Sequence, residues 1–354
     1  MPTRTAIPLP INSNQLYAQA PCRADLAGST IDLWPLYLFH PGSVTVNMAV
    51  DIQTTCKITP RRGRAIHLKS IDTGREDRFA SLGALLAAKR YHHELAAYLV
   101  RFFEPKQGFL LETHSESPAG AGISGSSAMM ICTSAALARF VGREIDIEQI
   151  RVIAQNVEAQ LIRVPTGCQD YYPAMYGGAN TIHLDPDGIH CESIAIAAEE
   201  LNKRFVLVYT GAPRQSGINN WEVFKQHIDG DKHVIRNFSE ISRIAREMHV
   251  AVKKAKWADV EHLLNEEWKL RRTNAPGITT PLIDKLIAAA RKKGARAAKV
   301  CGAGGGGCVI VLIEEGSRER VEDAIRKNGG QVLDFHISSN GLRFIGPDGS
   351  SSAQ

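Results

Sequence analysis

Residues 302–307 read Gly-Ala-Gly-Gly-Gly-Gly, five glycines in six positions, held between the apolar segments AAKV (297–300) and CVIVLI (308–313). No other feature constrains the fold as tightly. The segment after the run is β-branched and strand-like, so the glycines join two strands. A hairpin needs far fewer of them, and the surplus predicts that the backbone here passes close to a ligand. The run also satisfies G-x-G-x-x-G, but that dinucleotide fingerprint must open a helix, and CVIVLIEE does not.

A second small-residue segment, Pro118-Ala-Gly-Ala-Gly-Ile-Ser-Gly-Ser-Ser127, lies between a strand-like GFLLETHSE (108–116) and a helical AMMICTSAALARFVG (128–142). Its glycines let the backbone turn tightly, and the free amides and dipole of the helix start favour an anion by about 0.3–1 kcal/mol. A phosphate fits that description. No Gly-Lys-Ser/Thr follows, so the segment is not a Walker A loop. Ser126 and Ser127 either serve the ligand or simply cap the helix.

The 354 residues suit two packed domains, and 44% hydrophobic with 22% charged residues is the composition of an ordinary globular protein. The fold class is α+β. Strands are expected over 44–59, 65–69, 108–116 and 204–210, and helices over 81–103, 146–162, most of 229–271, 280–293 and 317–328, the last capped by Ser317 and stopped by Gly329. Domains are expected over 1–198 and 199–345, with 346–354 (GPDGSSSAQ) a frayed tail. The formal charge of +5 is spread over short basic groups without stacking aromatics, which reads as solvated surface and predicts no nucleic-acid partner. Seven cysteines without a C-x-x-C pair, a proline-containing start without a signal-peptide core, and no eighteen-residue apolar stretch predict a reduced cytoplasmic setting and no membrane anchorage.

Three segments, in order, resemble the motifs of the GHMP kinases, the family named for galactokinase, homoserine kinase, mevalonate kinase and phosphomevalonate kinase. Residues 21–32 (PCRADLAGSTID) keep the spacing of an arginine, a glycine and an aspartate as Arg23, Gly28 and Asp32. Pro118–Ala128 is similar to PxxxGLGSSAA, and KVCGAGGGGCVIVL (299–312) to the third motif. Pro165-Thr-Gly-Cys-Gln-Asp170-Tyr-Tyr-Pro-Ala-Met-Tyr-Gly-Gly, FVLVYTGAPRQSG (205–217) and the Glu267-Trp268 region resemble the sugar-kinase branch, with its galactokinase-, fucokinase- and heptose-7-phosphate-kinase-like members. Galactokinases carry a glutamate and a histidine directly after the glycine of the first motif, where this chain has Ser29 and Thr30, which points away from galactose.

The resemblance implies an N-terminal ribosomal S5 domain 2-like domain, a C-terminal ferredoxin-like domain, and ATP, Mg²⁺ and a small-molecule sugar or sugar phosphate as ligands, with a homodimer as one option for assembly. It implies that Gly120, Ala121, Gly122, Ile123, Ser124, Gly125, Ser126 and Ser127 hold ATP, that Ser127 and Glu158 hold the metal, and that Asp32, Gly304 and Gly305 meet the substrate. Asp170 is then the base or orienting carboxylate, and Arg23 the cation that keeps it ionised, since arginine does not lose its proton. The residues alone leave Asp170 free to be an Asx-turn residue, Arg23 a surface ion pair and Asp32 a cap. At 100° per residue Glu158 lies beside the apolar stripe of its helix, as a partly buried carboxylate with a partner would. A ligand-sensing member without catalysis, and an isoprenoid-type (mevalonate) kinase or decarboxylase of the same fold, are the competing readings.

Overall fold

A computed structural model describes residues 15–213, 216–346 and 351–353. Residues 1–14, Arg214, Gln215, 347–350 and Gln354 lie outside it, and with them the proline-containing start, two residues near the end of the 205–217 segment and much of the expected tail.

Two sheets organise the chain. The larger has the order β13-β12-β1-β2-β5-β3-β4: β1 is Leu16–Ala27, β2 Ser43–Pro60, β3 Ile66–Ser70, β4 Glu76–Phe79, β5 Phe109–Ser115, β12 Arg343–Ile345 and β13 Ser351–Ala353. β2 is long enough to pair with β5 through its second half and with β6 (Ala179–Asp185) through its first, and β7 (Gly188–Ile194) pairs with β6. The smaller sheet runs β11-β8-β10-β9, from β8 (Phe205–Tyr209), β9 (Ala295–Val300), β10 (Cys308–Ile313) and β11 (Gln331–Leu333). Counted along the chain that is the antiparallel order 4-1-3-2, the ferredoxin-like arrangement expected for the second half. Residues 351–353 do not fray as expected: they pair with 343–345, where the sheet edge offers main-chain hydrogen bonds.

α1 (Leu82–Ala87) and α2 (Glu94–Phe103) take the place of the single helix expected over 81–103. The break has a cause. The Asp77 carboxylate accepts the backbone N–H groups of His92 (2.9 Å) and His93 (2.8 Å), which draws those amides out of a helical ladder. α3 (Gly125–Phe140) is buried on almost every face, which suits its run of Ala, Cys, Ser and Met. α4 (Ile147–Ile162) is capped by Asp146, which accepts from Gln149 N at 2.8 Å, and buries Ile147, Ile150, Ala154 and Val157 along one stripe. α5 (Tyr171–Tyr176) and α6 (Ala198–Arg204) are short; α7 (Ser216–Ile228), α8 (Lys232–Lys253), α9 (Trp257–Arg271) and α10 (Pro281–Arg291) connect β8 to β9. α11 (Arg318–Lys327) starts after Ser317, but the Ser317 hydroxyl donates to Glu314 O at 2.7 Å and does not cap the helix; Gly329, at φ +93°, follows its end as expected.

The two halves share a core. Cys22, Ala24, Leu26 and Met48 of β1 and β2 pack in one apolar cluster with Ile244 and Met248 of α8, Leu264 of α9 and Ile310 of β10. Ala18 and Ala20 of the same β1 face the other cluster, around α2 and α3. The switch coincides with a slip in register, Pro21 pairing with Gln53 but Cys22 with Val50. Beyond it the alternate residues Arg23 and Asp25 turn together away from the second cluster. Among the described residues no disulfide joins the cysteines, and no helix is long and apolar enough to cross a membrane.

Candidate active site

The site begins at Arg23. Its guanidinium is buried and donates to Asp170 Oδ1 through Nε (3.0 Å) and Nη2 (2.6 Å), and to the Gly122 carbonyl through Nη1 (2.7 Å). Its backbone N–H donates to Ile123 O at 2.9 Å. Burial works against the positive charge, but Asp170 and Asp25 outweigh it and hold the pKa above the ordinary arginine value. One residue therefore fixes both the carboxylate expected to be catalytic and the loop expected to hold phosphates.

Asp170 precedes α5 and is partly exposed, with Oδ1 occupied by Arg23; among the described residues Oδ2 accepts no hydrogen bond. Asp32 is nearby and buried, its Oδ2 accepting Gln169 N at 2.9 Å. Burial, and then the negative charge of Asp170, push the Asp32 carboxyl up to about 6. Gly167 is required here, because a Cβ at that position would lie 2.0 Å from Asp32 Oδ2.

The two glycine loops meet back to back. Cys308 N donates to Ala121 O at 2.7 Å, and a Cβ on Gly307 would stand 2.6 Å from the same carbonyl. The second loop thus spends its glycines largely on close approach to backbone. Gly304 and Gly305, expected at the substrate, instead rest on Ile278: Gly305 N donates to Ile278 O at 2.8 Å, and a Cβ on Gly304 would lie 2.5 Å from that oxygen. From this loop, Gly302 and Ala303 line the cavity in their place.

In the first loop Gly120 and Gly122 take φ of +70° and +75°, Ser124 takes +62°, and α3 opens at Gly125. Ser126 and Ser127 do not cap α3. They donate to the buried Glu158 carboxylate, at 2.7 Å to Oε1 and 3.0 Å to Oε2, and Tyr171 donates to Oε2 at 2.5 Å. Burial raises the Glu158 pKa against these three donors. Ser124 Oγ is buried and has no hydrogen-bond partner among the described residues, which leaves a hydroxyl for a ligand inside the loop.

Behind Arg23 lies a set of charges to which the sequence reading gave no role. Asp25 accepts from Lys299 Nζ, from Ser29 Oγ and, at 2.9 Å, from Gly302 N. Burial alone would raise its pKa; Lys299 and Arg23 reverse this and hold the carboxyl well below its usual range. Lys299 Nζ lies 3.6 Å from Glu267 Oε1, and Glu267 pairs with Arg271 on the next turn of α9. Arg271 donates to Ser29 O (2.7 Å) and Thr30 Oγ1 (3.2 Å). Thr30 has φ +76°, a conformation costing a β-branched residue about 1–3 kcal/mol, and its hydroxyl reaches Asn220 Oδ1 at 3.1 Å. One signal was available: on a strand, Arg23 and Asp25 share a face.

A cavity of about 540 Å³ joins these parts. Arg23, Thr30, Asp32, Asp170 and Asn220 line one region of it, Gly120–Gly122, Ser124–Ser127 and Glu158 another, and Ser70, Arg75, His93 and Thr113 a third. The arrangement can hold an anion on amides and serine hydroxyls, and can set a carboxylate beside a polar acceptor.

Known proteins resemble this chain along most of its length. The family model described as the GHMP kinases N terminal domain matches residues 85–178, and that of the GHMP kinases C terminal matches 248–331. The chain is 25% identical over 336 residues to a D-glycero-alpha-D-manno-heptose 7-phosphate kinase of Campylobacter jejuni, covering 92% of this chain and 97% of that one. It is 30% identical over 251 residues to a mevalonate kinase of Thermococcus onnurineus, covering 67% and 69%. The crystal structure of Lactococcus lactis galactokinase complexed with galactose superposes with a TM-score of 0.77 at 17% identity, over 93% of this chain and 94% of that chain, which shows the fold. With each half matched by its own family model, the protein belongs to the GHMP kinases and is an enzyme of the kinase class.

Proposed function

We propose that this kinase transfers the terminal phosphoryl group of ATP to a hydroxyl of a sugar or sugar phosphate, with Asp170 as the base or orienting carboxylate. The observation that carries the reading is the Arg23 clamp, which ties Asp170 and the 118–127 loop to one guanidinium beside Asp32. Phosphoryl transfer asks a protein for positioning and charge stabilisation. The acceptor oxygen bonds to the terminal phosphorus as the bond to the ADP oxygen breaks, and the hydroxyl proton passes to Asp170 Oδ2. Arg23 keeps Asp170 anionic before the transfer and offsets negative charge near it. Asp32 accepts hydrogen bonds from further hydroxyls of the acceptor.

The first loop fits a triphosphate: positive-φ glycines, the amide end of α3 and the unpartnered Ser124 hydroxyl all face the cavity region an anion would take. Glu158 with Ser126 and Ser127 forms a set of hard oxygen donors suited to Mg²⁺, which would be held by Ser127 and Glu158 and would neutralise phosphate charge when bound. A sugar-type acceptor is supported by the heptose 7-phosphate kinase that aligns along nearly the whole chain. The mevalonate kinase relative favours a second reading, an isoprenoid acid. Against it, Asp32 beside Asp170 gives the acceptor region two carboxyl groups, which suit a polyol and repel a carboxylate.

Asp170→Asn tests the proposal. With a panel of free sugars, sugar phosphates and mevalonate as acceptors, kcat is expected to fall about 10²–10⁴-fold while ADP binding stays within about twofold. Near-normal turnover by the variant removes Asp170 from the role, and turnover of mevalonate alone replaces the sugar reading by the second.

A further inference from the structure

We propose that Arg271, Glu267 and Lys299 are positioning residues for the transfer, a buried chain of charges that sets the acceptor-side wall, Ser29–Thr30, relative to Arg23 and both glycine loops. The inference rests on the functional reading above and adds to it how the acceptor is registered against the nucleotide.

The charges form an unbroken series. Arg23 Nη1 lies 3.6 Å from Asp25 Oδ1; Asp25 Oδ2 meets Lys299 Nζ; Lys299 lies 3.6 Å from Glu267; and Glu267 holds Arg271. All five side chains are buried. A buried ion pair is weak support for stability, since well-packed apolar residues often do as well, so a series of five calls for a geometric role. Its ends supply one. At one end Arg23 grips Asp170 and Gly122; midway Asp25 receives the amide of Gly302; at the other end Arg271 donates to Ser29 O and Thr30 Oγ1. Each anchor belongs to a wall of the same cavity.

Thr30 shows what the far end does. Its left-handed backbone is one that threonine adopts only when its surroundings impose it. Both hydrogen bonds from Arg271 fall on this turn, one on the carbonyl before Thr30 and one on its hydroxyl. The same hydroxyl donates to Asn220, which lines the acceptor region with it. The planar fork of arginine can span a carbonyl and a hydroxyl while still bonding Glu267, and a lysine ammonium cannot reproduce that geometry. Glu267 Oε2 is buried without a partner among the described residues, so the pair is built around the Oε1 contacts to Arg271 and Lys299.

The test is Arg271→Lys in the full-length protein, which keeps the buried charge and removes the fork. Hydrogen exchange of the peptide covering residues 26–33 is expected to speed up at least fivefold, with exchange over 118–127 unchanged. The KM for the acceptor is expected to rise about tenfold and the KM for ATP to stay within twofold. Unchanged exchange at 26–33, an acceptor KM within twofold of wild type, or a parallel rise in both KM values overturns the proposal. Should Arg271→Lys fail to accumulate as folded protein, Glu267→Gln, which keeps the side-chain shape, carries the same test with an expected rise of about threefold in acceptor KM. A wild-type enzyme that phosphorylates no sugar removes the functional reading, and the exchange measurement still decides whether Arg271 holds the wall.

Discussion

Asp32 and Asp170 share a cavity but meet different surroundings: Arg23 grips one, while the other accepts the Gln169 amide and is pushed up to about 6, chiefly by burial. Two expectations follow for Asp32, with opposite signs. Its folded pKa lies above the unfolded one, so its contribution to stability is complete below about pH 4 and is lost as the pH rises through about 6. Asp32→Asn should therefore raise the melting temperature at pH 7.5, by the equivalent of up to about 2–3 kcal/mol, with the gain shrinking towards pH 4. For function, the ionised carboxylate is the better acceptor of substrate hydroxyls. The acceptor kcat/KM should rise through about pH 6 in wild type and lose that rise in Asp32→Asn; a flat wild-type profile would remove Asp32 from substrate binding. Arg23, Asp32 and Asp170 stand out in the sequence because motifs surround them, and the structure brings them together. Glu267 lies in a segment that resembles the sugar-kinase branch, but neither it nor Arg271 was given a role, since a Glu–Arg pair four apart on a helix reads as solvent decoration until α9 is packed against β1 and β9.

Among the elements, the glycine loop at 302–307 was legible as a link between strands, while its target was not. Excess glycine signals close approach without saying to what, and here much of it is the Ala121 carbonyl. Gly307→Ala separates the two possible costs when set beside Gly63→Ala. Both residues have positive φ, but an added Cβ meets Ala121 O at 2.6 Å in the first and nothing within 4 Å in the second. Gly63→Ala should cost about 1–2 kcal/mol in stability and leave the KM for ATP unchanged. Gly307→Ala should cost more and raise the KM for ATP about tenfold or beyond, because the first loop has to shift; equal kinetics for the two variants would mean that the loops act independently. The helix expected over 81–103 failed for a related reason. Its residues suit a helix, but Asp77, outside the segment, captures the amides of His92 and His93. Composition cannot reveal a competitor that arrives through tertiary structure.

At the scale of the whole molecule, the halves that composition separates near residue 200 are joined by one of the two apolar clusters, with Cys22, Ala24 and Met48 packed against Ile244, Met248 and Leu264. Heating should therefore give a single transition, with a calorimetric enthalpy equal to the van't Hoff value, and a fragment ending at residue 198 should not show a native-like cooperative transition of its own. Two resolved transitions would show that the shared cluster is energetically minor. β1 has a more exacting place in this design. Cys22, Ala24 and Leu26 belong to the common core, Arg23 and Asp25 to the buried charges beside the cavity, and alternation along the strand decides which set points which way. Inserting one amino acid ahead of Arg23 would exchange the two sets, driving the guanidinium into hydrocarbon and turning Cys22 and Ala24 towards the cavity. Substitutions along this strand can be weighed one side chain at a time; an odd change in its length takes the buried charges out of phase with the core.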